Sequence, residues 1–579
     1  MDRIIKGYVK DFSKQFGLEF EENKISDLFE NFTTFCLISN KLINDSLDYN
    51  EIISTNTKKY KGIDNISFII SGKIITNIKE LEEIFENTGY VDVLLTAIQS
   101  KISERFDNNE ISNLLDTFLD FLKDTPNYPL TNEAQVIHEM LMFVLDNMAK
   151  INKFDTSLFY VTTGIYTKDT VIDATKETKL KQIKDCGIFK DGNIEVELVD
   201  KNYLMRLFDK INRPTKAEFI FKDKTSISFE NEEIKEAYFG LLPFSEYRKI
   251  LIDEDNDKIR NLFYDNVRDN LGNNEVNNDI DKTLKEKKFE YFPLLNNGVT
   301  IVAENNLGSG NKFILENFQI VNGCQTSNKL YDNRIIAGID NLLIPIKLII
   351  TNDEILKNKI TIATNNQTEI KEEQLVALTE FQKGLEEFYN LMSTDKTTKL
   401  YYERRSNQYA GNSSIMKKSI VDLREQIKTF VAIFYEEPHN SSGYFGKIFK
   451  EYNKKLFKKE HGFEPYYLCG LMQYIFKDFL NKKQIDRKYN KARYHLFMLY
   501  RKIAEVETFK ETLLNQRKKI RKYSDEIIST LLNPEQAQQF FNKAIDLLEK
   551  TTIDLNDQKE FYKKSSTNSI LDKYKEVYK

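Results

Sequence analysis

Asp64, Gln99 and Lys101 are the residues whose types and spacing could do chemistry together. Gln99 and Lys101 close the run Val91-Asp92-Val93-Leu94-Leu95-Thr96-Ala97-Ile98-Gln99-Ser100-Lys101, which reads as a buried strand with a polar end. They are two apart, so on a strand they point to the same face. Asp64 stands at the entrance of a second strand candidate, Gly62 to Ile70. A carboxylate, an amide acceptor and a lysine on neighbouring strands can hold a divalent cation and a water beside a phosphate. Metal-assisted phosphodiester hydrolysis needs that set: hard oxygen ligands for Mg²⁺ and a cation near the developing charge. Taken singly, an Asp or Lys at a strand end is an ordinary solvated residue, so context must decide.

The pattern Gly62-Ile63-Asp64, then Ile98-Gln99-Ser100-Lys101, with 99 − 64 = 35 residues between the two motif positions, resembles the PD-(D/E)XK nuclease superfamily. It is most similar to the Mrr-type restriction branch, where glutamine replaces the usual glutamate before x-Lys. The resemblance implies that Asp64 binds Mg²⁺, with Mn²⁺ as a substitute. Gln99 supports the metal or its water through the side-chain carbonyl, and Lys101 positions the attacking water or stabilises the charged phosphorus centre. In such folds the first helix often offers a further acid, which makes Glu30 the candidate and Glu22 its rival. Glutamine in place of glutamate weakens metal affinity unless Glu30 or another acid compensates. On this reading Gln99→Glu stays active and binds metal more tightly.

These residues need elements to position them. Residues from Ile4 to Ile43 read as helical, with Ile25, Leu28, Phe29, Phe32 and Cys36 forming an apolar stripe at 3- and 4-residue steps. The Asp64 strand follows, then a turn at Ser71-Gly72-Lys73, a short strand at Ile74-Ile75 and a helix over Ile78–Asn87. After the Gln99/Lys101 strand an amphipathic helix is expected between Ser103 and Leu122, and Pro126 and Pro129 punctuate its end. Residues 132–250 read as a connecting α/β stretch, with helices over Glu133–Ala149 and Lys179–Asp185 and strands at Leu158–Gly164, Ile194–Val199 and Ala217–Phe221.

Composition sets the frame. A chain of 579 residues with 41% hydrophobic and 30% charged residues is expected to be globular and to hold several cores. A net charge of −5 argues against a wholly basic nucleic-acid coat, but 84 Lys and Arg leave room for a local basic groove. Cys36, Cys186, Cys324 and Cys469 are far apart and form no C-x-x-C pair, so neither a zinc site nor a disulfide framework is expected. The first residues carry no apolar run of the secretory type, and the longest apolar runs, such as Leu342–Ile350, are too short to span a bilayer. The expectation is a protein of the reducing cytoplasm.

From Leu262 the sequence becomes distinctive. Leu262 to Gly272, Val276 to Ile280, Phe292 to Ala303, Phe318 to Ser327 and Ala363 to Ile370 recur in an order that resembles the AIPR family, the abortive-infection phage-resistance proteins of bacteria. The resemblance covers about residues 256–410 and extends to both flanks. Asn296-Asn297-Gly298 predicts a positive-φ turn ahead of a buried strand. Asn322-Gly323 ends a second strand, after which Gln325, Thr326 and Ser327 open a helix whose free N–H groups could cradle an anion. Asn296, Asn297, Asn322 and Gln325, with Asn365, Asn366 and Gln367, are amides suited either to reading a base or phosphate or to satisfying buried turns. Asn322–Thr326 loosely resembles the D-G-Q-x-R box of ParB-like nucleotide-binding domains, without its arginine. Arg404 and Arg405, among Tyr401, Tyr402 and Tyr409, can clamp phosphate and stack bases, or can sit in a salt-bridged loop; Arg268 is a further basic residue of this region.

Beyond Met416 the chain reads as helical and highly charged. Lys482-Lys483, Arg487-Lys488, Arg517-Lys518-Lys519 and Arg521-Lys522 make it locally basic. The expected fold is α/β multidomain. It comprises a restriction-endonuclease-like mixed sheet with flanking helices (1–130), a connecting α/β region (131–255), a central α/β AIPR domain (256–412) and a helical C-terminal region (413–579). The two resemblances together imply an antiphage nuclease that hydrolyses phosphodiester bonds, in DNA in the first place. The rival is a nucleic-acid or nucleotide sensing module with a degenerate nuclease core that works through partner proteins. Expected partners are nucleic acid, neighbouring defence proteins or a phage-derived trigger, and a second copy in a homodimer; no membrane is expected.

Overall fold

Alternation along Val91–Lys101 decides how the first sheet is sandwiched. Val91, Val93, Leu95 and Ala97 share one buried cluster, while Ile98 belongs to another on the opposite face. A computed structural model describes residues 1–42, 46–189, 192–212, 216–230, 233–253, 258–260, 262, 275–364, 379–392, 398–404, 408–409, 412 and 414–578. Two compact units result. One is built from Met1–Ile211 with Glu380–Tyr409 and Ser413–Lys579, the other from Asn212–Thr379 with Ala410–Asn412.

The first unit begins with helices α1 (Arg3–Phe16), α2 (Ile25–Ser39) and α3 (Tyr49–Ser54), so the stretch expected to be continuously helical is divided. Gly17 ends α1 at φ 65°, the left-handed conformation glycine tolerates. Then come β1 (Asn56–Tyr60), β2 (Ile63–Ile70), β3 (Lys73–Ile75), α4 (Ile78–Asn87), β4 (Val91–Lys101), α5 (Asn108–Phe121), α6 (Asn132–Asp146), β5 (Ile151–Thr162), α7 (Thr170–Lys184), β6 (Ile194–Val199) and α8 (Lys201–Asn212). The sheet order is β1-β2-β4-β5-β6, with β3 paired to β2. β2 pairs antiparallel with β1, β3 and β4, whereas β4–β5 and β5–β6 are parallel, so the sheet is mixed.

Helix α5 covers one face through Ile111, Leu114, Leu115, Phe118 and Phe121. Helices α1 and α2 cover the other with Phe12, Phe29, Phe32 and Phe35 against Ile98, Phe159 and Val161. The core therefore extends past residue 130. β5 and β6, within the stretch expected to connect two domains, are integral strands of the first sheet. β5 is apolar on both faces because helices cover both, the environment in which parallel strands form. Such a run shows that it is a strand but not which sheet receives it.

The C-terminal helices belong to this same unit. Leu423–Phe434, Glu464–Asn481, Arg493–Ala504, Arg517–Leu532, Pro534–Glu549 and Lys564–Tyr578 are the longest. Glu83 on α4 accepts the Tyr444 N–H and the Lys447 ammonium, both at 2.7 Å. Lys477 reaches Asp48 at 2.9 Å, and Lys79 donates to the His439 carbonyl at 2.6 Å. These contacts join residues 413–579 to the unit that holds the first sheet, so they are not a separate body.

The second unit holds a six-stranded sheet in the order Lys216–Ile220, Lys312–Asn322, Val299–Asn306, Leu343–Ile350, Glu236–Pro243, Asp223–Ile227. Val299–Asn306 and Leu343–Ile350 run parallel, and the other neighbours are antiparallel. Its core gathers Phe219, Phe244, Tyr247, Ile301, Phe313, Ile320 and Leu348. Among the described residues, no helix is long and apolar enough to cross a membrane.

Candidate active site

The turn from β1 into β2 sets the entrance. Lys58, Lys59, Lys61 and Gly62 all have positive φ, a strained run for lysines. Gly62 lies at φ 95°, and a Cβ there would come within 2.8 Å of the Gln99 Nε2. Both its conformation and this close approach require glycine.

β2 and β4 pair with Asn65 opposite Ile98. Beyond that pair Asp64 supplies a side-chain acceptor, and its Oδ2 takes the Ser100 backbone N–H at 2.6 Å. Asp64 is buried, and burial pushes its carboxyl up to about 7. The Glu30 carboxylate adds to the rise, while the Ser100 N–H, Lys101 and Lys59 oppose it. Glu30, on α2, is also buried and also raised, chiefly by burial, with Lys59 pulling the other way. The Lys59 ammonium stands 3.2 Å from Glu30 Oε1. Asp64, Glu30, Lys59 and Lys101 thus act on one local field.

α2 is tied to β4 by Thr33, whose hydroxyl donates to the Glu30 carbonyl at 2.8 Å and lies 2.7 Å from Ser100 Oγ. Ser100 is then the donor between the two hydroxyls. Ser100 points toward α2, so Gln99 and Lys101 face α5. There Gln99 Nε2 donates to Glu110 Oε2 at 3.2 Å, and Lys101 Nζ lies 3.1 Å from the same oxygen. Gln99 is almost fully buried, and its Oε1 has no hydrogen-bond partner.

The fit to a divalent cation can be judged from the donors. Asp64 and Glu30 are carboxyls pushed toward their neutral forms, and a cation would relieve that. The orphaned Gln99 Oε1 is a hard oxygen acceptor, the type Mg²⁺ takes. Among the described residues, no three His, Cys, Asp or Glu side chains cluster as a metal site. Asp64, Glu30 and the Gln99 amide are each oxygen donors of the chemical type that Mg²⁺ or Mn²⁺ takes.

Lys59, Thr33 and Glu110 were not anticipated from the sequence. Lys59 and Thr33 carry no motif. Glu110 had a faint signal, an acid nine residues after Lys101, but Asp107-Asn108-Asn109-Glu110 reads first as a helix start. Asp107 does cap α5, accepting the N–H groups of Asn109 and Glu110.

In the second unit, Asn296 Nδ2 donates to the Phe292 carbonyl at 3.0 Å, a local turn contact. Asn297 is exposed, and Gly298 has φ 75°, as the turn requires. Asn322 Nδ2 donates to the Thr364 carbonyl. Gln325 lies in the first turn of the helix Cys324–Asp332, and both of its amide atoms are buried without a partner. Arg404 belongs to the first unit, buried with its Nε 2.5 Å from Glu386. Arg405, Arg268, Asn365, Asn366 and Gln367 lie outside the described residues.

The first unit thus defines a mixed α/β sheet protein with a buried acidic pair, an amide and a lysine at one end of a strand pair. Residues 263–577 match the family model described as AIPR protein, more than half of the chain. The chain belongs to the AIPR family. No curated protein and no solved structure matches it.

Proposed function

We propose that this chain is a metal-dependent endonuclease of bacterial antiphage defence that hydrolyses phosphodiester bonds in DNA. The carrying observation is the buried Asp64, held by the Ser100 N–H and acted on by Glu30, Lys101 and Lys59, at the strand end where Gln99 Oε1 is left unpartnered. Membership of the AIPR family supports the defence role.

Asp64, Glu30 and the Gln99 carbonyl would hold Mg²⁺, with Mn²⁺ as a substitute. When bound, the ion supplies Lewis acidity toward a phosphate oxygen and a more acidic water. Lys101, anchored at Glu110, offers its ammonium to the attacking water or to the phosphate oxygens as charge develops. The Ser100 N–H holds one oxygen of Asp64, which fixes the carboxylate plane and leaves the other oxygen to act. Lys58, Lys59 and Lys61 are exposed on the turn beside Asp64 and suit a polyanionic backbone.

The second reading is a sensing module with a degenerate core that acts through partners. It is favoured by glutamine at position 99 and by the unpartnered Gln325 amide at a helix start in the other unit. Purified protein incubated with plasmid, linear DNA and RNA, with Mg²⁺, Mn²⁺ or EDTA, separates the two. Cation-dependent cleavage lost in Asp64→Ala supports the nuclease. Full phage protection in cells by Asp64→Ala supports the sensing module.

A further inference from the structure

Gln99 and Glu110 form a complementary pair whose order of charge is reversed from the usual arrangement. In the wider PD-(D/E)XK pattern, outside the glutamine-bearing branch, the acid stands on the strand before x-Lys. Here the strand carries the neutral amide, and the acid stands across from it in the first turn of α5. The Glu110 carboxylate accepts from Gln99 Nε2 at 3.2 Å and contacts the Lys101 ammonium at 3.1 Å through the same oxygen. Its own backbone is pinned, because the Glu110 N–H donates to the Asp107 carboxylate at 3.1 Å. Gln99 has no freedom to turn aside, since it is 2% exposed and its Nε2 packs against the bare Cα of Gly62.

We propose that Glu110 is a positioning residue that supplies, from α5, the carboxylate missing at position 99. It turns the Gln99 amide so that Oε1 faces away from α5 as the available acceptor, and it holds Lys101. Three observations carry this. One oxygen of Glu110 serves both motif residues. An amide has one donor and one acceptor side, so committing Nε2 to Glu110 determines where Oε1 goes. The freed Oε1 is the buried atom that finds nothing to bind. The proposal rests on the nuclease reading above.

It also reverses the expectation that Gln99→Glu stays active and binds metal more tightly. A carboxylate at position 99 would set two acidic oxygens at the distance where Nε2 and Glu110 Oε2 now lie, 3.2 Å. Such a pair shares a proton or repels, and either outcome spoils both groups near neutral pH. Exchanging the two residues should restore the pair with the acid in its usual place.

The test is the cycle of Gln99→Glu, Glu110→Gln and the double exchange in the full chain. It is read by DNA cleavage across pH, by Mn²⁺ binding in calorimetry, and by melting temperature in EDTA. Loss of an orienting partner typically costs about tenfold to a hundredfold in metal affinity or activity. Glu110→Gln should lose at least about tenfold in rate and in Mn²⁺ affinity at every pH, with KM for DNA little changed. Gln99→Glu should lose about as much, because it sets two carboxylates against each other at the distance of the present hydrogen bond. The double exchange should return both readouts to near wild type. Wild-type rate and pH profile in Gln99→Glu, or a double exchange no better than the worse single variant, would overturn the assignment while leaving the nuclease reading standing. A wild-type chain that neither cleaves nor binds Mn²⁺ would overturn the reading beneath it as well. Glu110 is partly exposed, so Glu110→Gln stays informative should Gln99→Glu fail to fold.

Discussion

Asp64 accepts the backbone N–H of Ser100 at 2.6 Å, so a side chain takes over where the β2–β4 ladder ends. This bond fixes the acid relative to the strand that carries Gln99 and Lys101. A one-residue slip of β4 would hand Asp64 a different N–H and turn Gln99 and Lys101 to the opposite face.

The raised Asp64 carboxyl has a pH consequence. Its folded-state value of about 7 lies above the ordinary 3.8. The native chain therefore keeps a proton that the unfolded chain releases between those values. Stability must fall as pH rises through that window, since the unfolded state binds fewer protons there. Asp64→Asn should remove this slope and, above the window in EDTA, be more stable than wild type by on the order of a few kcal/mol. Urea denaturation at several pH values measures it; parallel curves for the two proteins would count against the buried, raised acid.

Cleavage should depend on the same residue. Asp64→Ala is expected to abolish Mg²⁺- or Mn²⁺-dependent cleavage while the protein stays folded, checked by circular dichroism and a plasmid-nicking assay. Retained cation-dependent cleavage would remove Asp64 from the site.

Lys101→Ala should lower the rate and spare substrate binding. One electrostatic contact to the transition state is worth about 3 kcal/mol, or a hundredfold or more in kcat. A loss seen only in KM would assign Lys101 to binding the DNA backbone.

Gly62→Ala tests the close approach beneath Gln99. Its positive φ and the 2.8 Å contact with Nε2 are both unfavourable to a methyl group. The expected cost is about 1–3 kcal/mol of stability, with a drop in activity larger than stability alone explains. An unchanged melting temperature and rate would show that the turn can relax.

In the second unit, calorimetry with nucleotides and short oligonucleotides tests the amides. Binding is expected, and the variant carrying Asn322→Ala and Gln325→Ala should lose it. No binding by the wild type, or equal binding by the variant, would assign Asn322 to holding the Thr364 carbonyl.

The sequence by itself determined local structure where one physical signal dominated. The buried run that ends in polar residues marked Val91–Lys101 at its observed bounds, and the helix expected over Ile78–Asn87 lies there. The Asn297-Gly298 and Asn322-Gly323 steps marked turns, and both glycines have positive φ. The strand positions of Asp64, Gln99 and Lys101 were legible because spacing along two strands is a one-dimensional property. Tertiary structure alone decided the rest. β5 and β6 read as strands, but pairing is a choice among edges, and only the assembled fold shows that they extend the first sheet. The C-terminal helices carry apolar stripes that any partner could cover; Asp48 and Glu83, hundreds of residues away, accept Lys477 and Lys447. The contacts of Glu110 with Gln99 and Lys101 were invisible because they cross from a helix to the sheet. A sequence records an acid there, but the contact that gives the acid its partners forms only when α5 packs on β4.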